Sequence, residues 1–296
     1  MLKEHLGHND PRRVTRADMV AWKDKLIDRG LSPNSIRDSH LASIKTLFNY
    51  AVNNGLLTEN PVRGVRVAGR VSAGERRLPY TDDEVASLLA LASGETHPAR
   101  RWLPWLLALS GARVGELAQL WGKRIVEIDG IHVMRIAPAE DGGSLKNANS
   151  ERDVPLHPAL VEQGFLAFVR SRGDGPLFYG TQGAPRPLRR GSGADTHRHA
   201  SKGVSNRLAS WIRSEGFTDS RKAPSHAFRH WFKTTCARLG IQERVADAIQ
   251  GHVGNQTAAD TYVHIDVAMK ADAIGRIPVP QVKAGSGPLS SRLANY

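Results

Sequence analysis

The sequence predicts a mainly α-helical protein with one small antiparallel β-sheet, built as a smaller helical part followed by a larger mixed α/β part. Three observations carry this. Apolar residues recur at helical spacing through most of the chain, in segments bounded by recognisable caps. Strict alternation occurs in one region, around an Asp-Gly turn. The stretch "ENPVRGVRVAGRVSAGERR" (59–77) breaks all periodicity with Pro, Gly, Ser and Arg, and reads as a linker. With 296 residues, 40% hydrophobic and 24% charged, the chain has material for about two domains with real cores.

The elements follow in order. In "VTRADMVAWKDKLIDRG" (14–30), Thr15 is an N-cap and Asp18 lies in the first turn. Met19, Trp22, Leu26 and Ile27 recur at helical spacing, and Gly30 ends the helix. In "LSPNSIRDSHLASIKTLFNYAVNNG" (31–55), Ser32 caps, Pro33 suits the first helical position and Gly55 terminates. Leu41, Ile44, Phe48 and Ala51 form its buried stripe. Past the linker, Thr81 caps a helix with Asp82, Asp83 and Glu84 at its positive end. "RRWLPWLLALSGARVGELAQLWG" (100–122) is an apolar helix, a Ser-Gly break and a second helix from about Arg113. "VEIDGIHVMRIA" (126–137) is a hairpin, and "SLKNANSERDVPL" (144–156) a second turn leading into a third short strand. Helices are expected at about 157–172 and 203–215, with a basic, Gly- and Pro-rich loop between them. "APSHAFRHWFKTTCARLG" (223–240) is a helix bracketed by Pro224 and Gly240. "IDVAMKADAIGRI" (265–277) is a short one, with Val267, Ala271 and Ile274 near one stripe. The tail is expected to be weakly ordered, and no internal repeat is present.

Composition narrows the function. The single cysteine, Cys236, excludes an internal disulfide and a thiolate zinc cluster, and suits a reducing compartment. The N-terminus lacks the apolar run of a signal peptide, and no stretch approaches the roughly 18 apolar residues of a membrane span. Lys and Arg number 41 against 29 Asp and Glu, a net charge of +12. Arg170 to Lys222 holds 11 basic and 4 acidic residues, more than half of that excess. Nucleic acid is the leading partner, and a generally basic surface is the bland alternative.

Four stretches hold candidate chemistry, each with two readings. On the 223–240 helix, Phe228, Trp231, Phe232, Thr235 and Leu239 fall on one side, and His226, Arg229, His230 and Lys233 on the other. That polar side is either a solvated basic face or a phosphate-binding one, since His226 and Arg229 lie one turn apart. Arg113, at a helix start with Glu116 one turn on, is either half of a surface pair or an anion ligand. Lys146, at a turn, is by itself an exposed lysine. Tyr262, in "QGHVGNQTAADTYVH" (250–264), is by itself a packing aromatic.

Taken together, Arg113, Lys146, His226, Arg229, His252 and Tyr262 resemble the tyrosine recombinases, the phage integrase family. "GARVGEL" resembles that family's first arginine box, "SHAFRHWF" its His-x-x-Arg box, and "GHVGNQTAADTYVH" its Gly-His…Tyr box. Lys146 before "ERDVPL" matches its β-hairpin lysine. "LSPNSIRDSHLASIKTLFNYAVNNGLLTENPV" resembles its helical core-binding domain. The resemblance covers about 15–275. One extra residue lies between Lys146 and Pro155 and another between His252 and Tyr262, both in turns, and Phe228 stands where the family usually has Leu. Set against the family pattern, the sequence is expected to begin late in the first core-binding helix, without a separate arm-type DNA-binding domain, whether by nature or by trimming.

The resemblance implies a helical core-type DNA-binding domain at 1–67, a linker at 68–77, a catalytic domain at 78–280 and a flexible tail at 281–296. It implies site-specific strand exchange on double-stranded DNA, by a homotetramer on synapsed sites that is monomeric when free. The place of work would be the cytoplasm, on the nucleoid when bound. In such a reaction Tyr262 attacks the phosphorus and ends as a 3′-phosphotyrosine. Arg113 and Arg229 clamp the non-bridging oxygens, His226 accepts the phenolic proton, His252 adds a hydrogen bond and Lys146 protonates the leaving 5′-hydroxyl. Glu116 would orient Arg113. The segment after Tyr262 would dock on a neighbouring protomer. No cofactor is expected: His226, His230, His252 and His264 lack carboxylate or thiolate partners at ligand spacing. The alternatives are a relaxing type IB topoisomerase, a non-catalytic DNA-binding regulator built on a recombinase, and a metal-dependent nuclease, which the missing acidic cluster disfavours.

Overall fold

In "VTRADMVAWKDKLIDRG" the local signals translate directly into structure. The computed structural model describes residues 1–68, 77–145, 150–180, 199–252 and 265–281. The chain divides into two compact units, Met1–Arg76 and Arg77–Tyr296.

The first unit opens with α1 (Leu2–Leu6), then α2 (Arg16–Asp28). Thr15 and Asp18 close a reciprocal capping box at the start of α2. Ser32 caps α3 (Pro33–Ser35), which runs through one π-helical stretch (Ile36–Leu41) into α4 (Ala42–Asn53). Met19, Trp22, Leu26, Ile36, Leu41, Phe48 and Val62 are buried together, with Ile44 packed at the edge. Ile27, expected in the stripe, is 43% exposed, because the core takes only the narrow side of α2 that holds Met19, Trp22 and Leu26.

The second unit begins with α5 (Asp82–Ser93), capped by a Thr81–Glu84 box, and α6 (Pro98–Ser110). Gly111, at φ 59, stops α6, and α7 (Val114–Leu117) follows. The sheet is β1 (Ile125–Ile128), β2 (Ile131–Ile136) and β3 (Arg152–Pro155), antiparallel in that order. Val126 faces Val133 and Met134 faces Val154 across it. Asp129 and Gly130, at φ 50 and 77, make the tight β1–β2 turn that Asp-Gly favours. The helix expected at 157–172 is two helices, α8 (Pro158–Glu162) and α9 (Phe165–Arg172), since Gly164 sits between them at φ 87. Then come α10 (Ser201–Ser214), α11 (His226–Arg238), α12 (Glu243–Gln250) and α13 (Val267–Gly275).

One apolar core, including Leu103, Leu106 and Leu107 of α6, Ile212 of α10 and Phe228, Trp231 and Phe232 of α11, holds this unit together. The short helix after the Gly-His…Tyr box belongs to it. Ala273, Ile274 and Ile277 are buried against the same core, Lys270 donates to the Asp153 carbonyl at 3.1 Å, and the His157 ring bonds the Ile277 carbonyl at 2.9 Å. In this single chain α13 therefore packs on its own unit. The expected stripe is also turned, toward Lys270, Ala273 and Ile274. The 186–202 basic loop falls almost wholly outside the described residues, as does the tail from 282.

Candidate active site

The site is assembled where α6 stops, α11 starts and α12 ends. Arg229, one turn into α11, is only 3% exposed, whereas His226 on the same side of the helix is exposed and His230 and Lys233 are half-buried. Its Nη1 donates to the carbonyls of Gly111 (2.8 Å) and Gln250 (2.7 Å), and the Gln250 amide donates back to the Arg229 carbonyl at 2.9 Å. Gly111 is required twice over. Its φ is positive, and a Cβ there would sit 2.5 Å from the Gln250 amide and 2.7 Å from the Phe232 ring. The Arg229 Nη2 is buried with no hydrogen-bond partner among the described residues. An unpaired guanidinium nitrogen beside the Gly111 and Gln250 carbonyls is a donor that an anion could satisfy.

Arg113 is the residue that caps α7. Glu116 accepts from its backbone N–H at 3.0 Å and from its Nη1 at 2.7 Å, as the i, i+3 spacing suggested. The other Arg113 nitrogen donates to the Gly251 carbonyl at 3.1 Å, so both arginines grip the end of α12. With four residues, α7 is too short to supply a useful helix dipole, and anion affinity here rests on the guanidinium itself.

Gly251, at φ 68, turns the chain out of α12 and presents His252. The ring Nδ1 lies 3.3 Å from Asp247, which also pairs with Lys233. His226 begins α11, with His230 edge-on at 4.7 Å between ring centroids. Burial, and then the positive charge of His230, Arg229, His252 and Arg113, push the His226 pKa down to about 4. The imidazole is therefore neutral and able to accept a proton at neutral pH. Burial and Arg229 also lower His230 and His252, and burial with the Arg113 charge beside it lowers Arg229 to about 10. Four of the six expected residues, Arg113, His226, Arg229 and His252, thus lie in one electropositive cluster. Lys146 and Tyr262 lie outside the described residues. Among those residues no three His, Cys, Asp or Glu side chains converge as a metal site, and no helix is long and apolar enough to cross a membrane.

Three participants escape sequence reasoning. Gln250 and Asp247 gave no local signal. Arg152 did give one. It lies two residues before buried Val154 on the same face of β3, so strand alternation turns it inward. Its guanidinium donates to Glu116 at 2.8 Å, to the Ile249 carbonyl at 2.7 Å and to the Ser150 carbonyl at 2.8 Å. Glu116 stays ionised despite its burial because Arg152 and then Arg113 hold its pKa below the usual carboxylate value.

No protein-family model matches the chain. In sequence it is 25% identical over 279 residues to tyrosine recombinase XerC of Vibrio vulnificus, covering 92% of this chain and 79% of the relative. It is 24% identical over 274 residues to a tyrosine recombinase of Thermosipho africanus, covering 89% and 85%. Among solved structures it is similar to the Tn1549 transposon integrase in complex with circular intermediate DNA, with a TM-score of 0.61, 20% identity, and 92% of this chain and 88% of that one covered. A lambda integrase dimer bound to a COC′ core site gives 0.60 and 19%, covering 90% and 88%. A lambda integrase tetramer bound to a Holliday junction gives 0.59 and 18%, covering 86% and 69%. At these identities the solved structures share the fold.

Proposed function

We infer the function of this chain from its place among the tyrosine recombinases, whose fold it has and whose sequences it resembles over about nine-tenths of its length. It is a site-specific recombinase that cleaves and rejoins duplex DNA, in the integration or excision of a mobile element. The observation that carries this reading is the convergence of Arg113, Arg229, His226 and His252 on the end of α12, with one Arg229 donor left open.

The chemistry follows from those groups. A scissile phosphate seated between two guanidiniums has its developing charge met by donors already fixed by backbone carbonyls, so little reorganisation is spent at the transition state. Tyr262, as nucleophile, must shed a proton whose pKa is near 10. His226, neutral at pH 7, accepts it. The phosphorus–oxygen bond to the 5′ side breaks as the bond to Tyr262 forms, and Lys146 returns a proton to the departing 5′-hydroxyl. The 3′-phosphotyrosine keeps the bond energy, and an incoming 5′-hydroxyl reverses the step. No metal is needed for this inventory. The core-type DNA-binding domain is residues 1–67, the catalytic domain 78–280. The active assembly is a tetramer on synapsed sites, working in the cytoplasm on nucleoid DNA.

The test is covalent capture. Incubated with nicked site DNA in EDTA, the protein is expected to give a DNA adduct that survives a denaturing gel, and Tyr262→Phe to give none while still binding DNA. An adduct formed by Tyr262→Phe would overturn the assignment, and an adduct dependent on added metal would overturn the mechanism. Relaxation of plasmids lacking any site would favour a topoisomerase instead.

A further inference from the structure

Glu116 raises an electrostatic difficulty. It lies 2.7 Å from an Arg113 guanidinium that has to bind a phosphate, and an Arg–Glu pair so close is electrically near neutral at a distance. An arginine neutralised in this way orients well and attracts an anion poorly. Arg152 removes the difficulty. Its side chain is 7% exposed and Glu116 is 3% exposed, and they pair at 2.8 Å on the side away from the Arg113 Nη1 contact, through the other carboxylate oxygen. One carboxylate between two guanidiniums leaves a net positive charge.

The geometry points to Arg152 as a positioning residue for the strand-exchange site. It takes up the charge of Glu116 so that Arg113 stays available to phosphate, and it locks β3 to the end of α12. All three kinds of guanidinium nitrogen are used, each on a different segment: Nη2 on Glu116 of α7, Nε on Ile249 of α12, and Nη1 on Ser150 just before β3. Arg113 closes the ring by donating to the Gly251 carbonyl. Gly251 lies on the Arg152 guanidinium so tightly that a Cβ would come within 2.6 Å of its Nη1. No other residue type can serve three acceptors in one plane with a fixed positive charge. Arg152 makes no claim on substrate itself. It acts through Arg113 and through the turn that carries His252.

This rests on the recombinase reading, so wild-type adduct formation is the reference. Single-turnover cleavage of a suicide substrate is followed at saturating DNA for wild type, Arg152→Gln and Arg152→Lys. The end-point adduct counts competent molecules, and the rate constant reports how well they are set. Arg152→Gln is expected to lose about 10²-fold in rate, the scale for losing one transition-state donor, at an end point close to wild type. Arg152→Lys restores the charge and is expected to recover at least tenfold of that loss. A purely structural role predicts the opposite pattern: lower end points, unchanged rate constants, and Lys no better than Gln. That pattern, or failure of both variants to fold, overturns the proposal. Absence of an adduct from wild type would overturn the recombinase reading instead.

Discussion

Arg229 shows at the scale of one residue why the floor of this site needs arginine. One nitrogen is spent on two backbone carbonyls and another is left open, a division that a lysine ammonium on a flexible stem does not reproduce. Arg229→Lys and Arg113→Lys are each expected to slow covalent cleavage by about 10²-fold or more, with folding retained. Cleavage at the wild-type rate in both would remove the clamp from the mechanism. The histidines make a second prediction. His226, His230 and His252 all have pKa values below the free-histidine range, His226 near 4. In the unfolded chain histidine titrates near 6.5. Below that, the unfolded state takes up protons that the folded one resists, so stability is full above about pH 7 and drains as the pH falls from about 6.5 toward 4. Melting temperature is expected to drop between pH 7 and pH 5, and His226→Gln to flatten the drop. An unchanged slope in that variant would move the effect elsewhere. Arg113, His226, Arg229 and His252 could be nominated as candidates from the sequence. Their partners could not be, because Arg229 and Arg113 bond carbonyls 118 and 138 residues away, a tertiary fact that no local pattern carries.

At the scale of elements, what was local was readable. Thr15 and Thr81 form the capping boxes their spacing announces, and Asp129-Gly130 makes the expected turn. The misreadings arose where packing overrides pattern. Gly164 splits a helix that periodicity runs through, and Lys270 turns the stripe of α13 by lying buried with its amine on the Asp153 carbonyl. Burial disfavours the charged amine, and the pKa of Lys270 is lowered accordingly. The helix therefore contributes to the unit's own core. Ile274, fully buried, is expected to cost about 2–4 kcal/mol when cut to Ala, the range for emptying a packed Ile site. Urea unfolding would check this, and a loss under 1 kcal/mol would mean that α13 detaches freely.

At the scale of the molecule, the two units have separate cores. The first unit buries Met19, Trp22, Ile36 and Phe48, and the second buries Leu103, Leu106, Phe228 and Trp231, so each has what an independent fold needs. The chain carries a net charge of +12, and DNA affinity built on that charge is counterion release, with log K falling by about 0.9 for each phosphate neutralised as log salt rises. On the proposed reading, both units would contact DNA as a tethered pair, the first contact raising the local concentration of the second. Fragments 1–76 and 77–296 are therefore expected to unfold cooperatively by themselves and to bind site DNA weakly. Their two salt slopes should add to about the slope of the intact chain, while the intact affinity exceeds either fragment's by about 10²-fold or more. Titrations of the three proteins from 50 to 300 mM salt decide it. If the 77–296 fragment alone reproduces both the affinity and the slope of the whole, the first unit makes no phosphate contacts and the two-part grip on DNA is wrong.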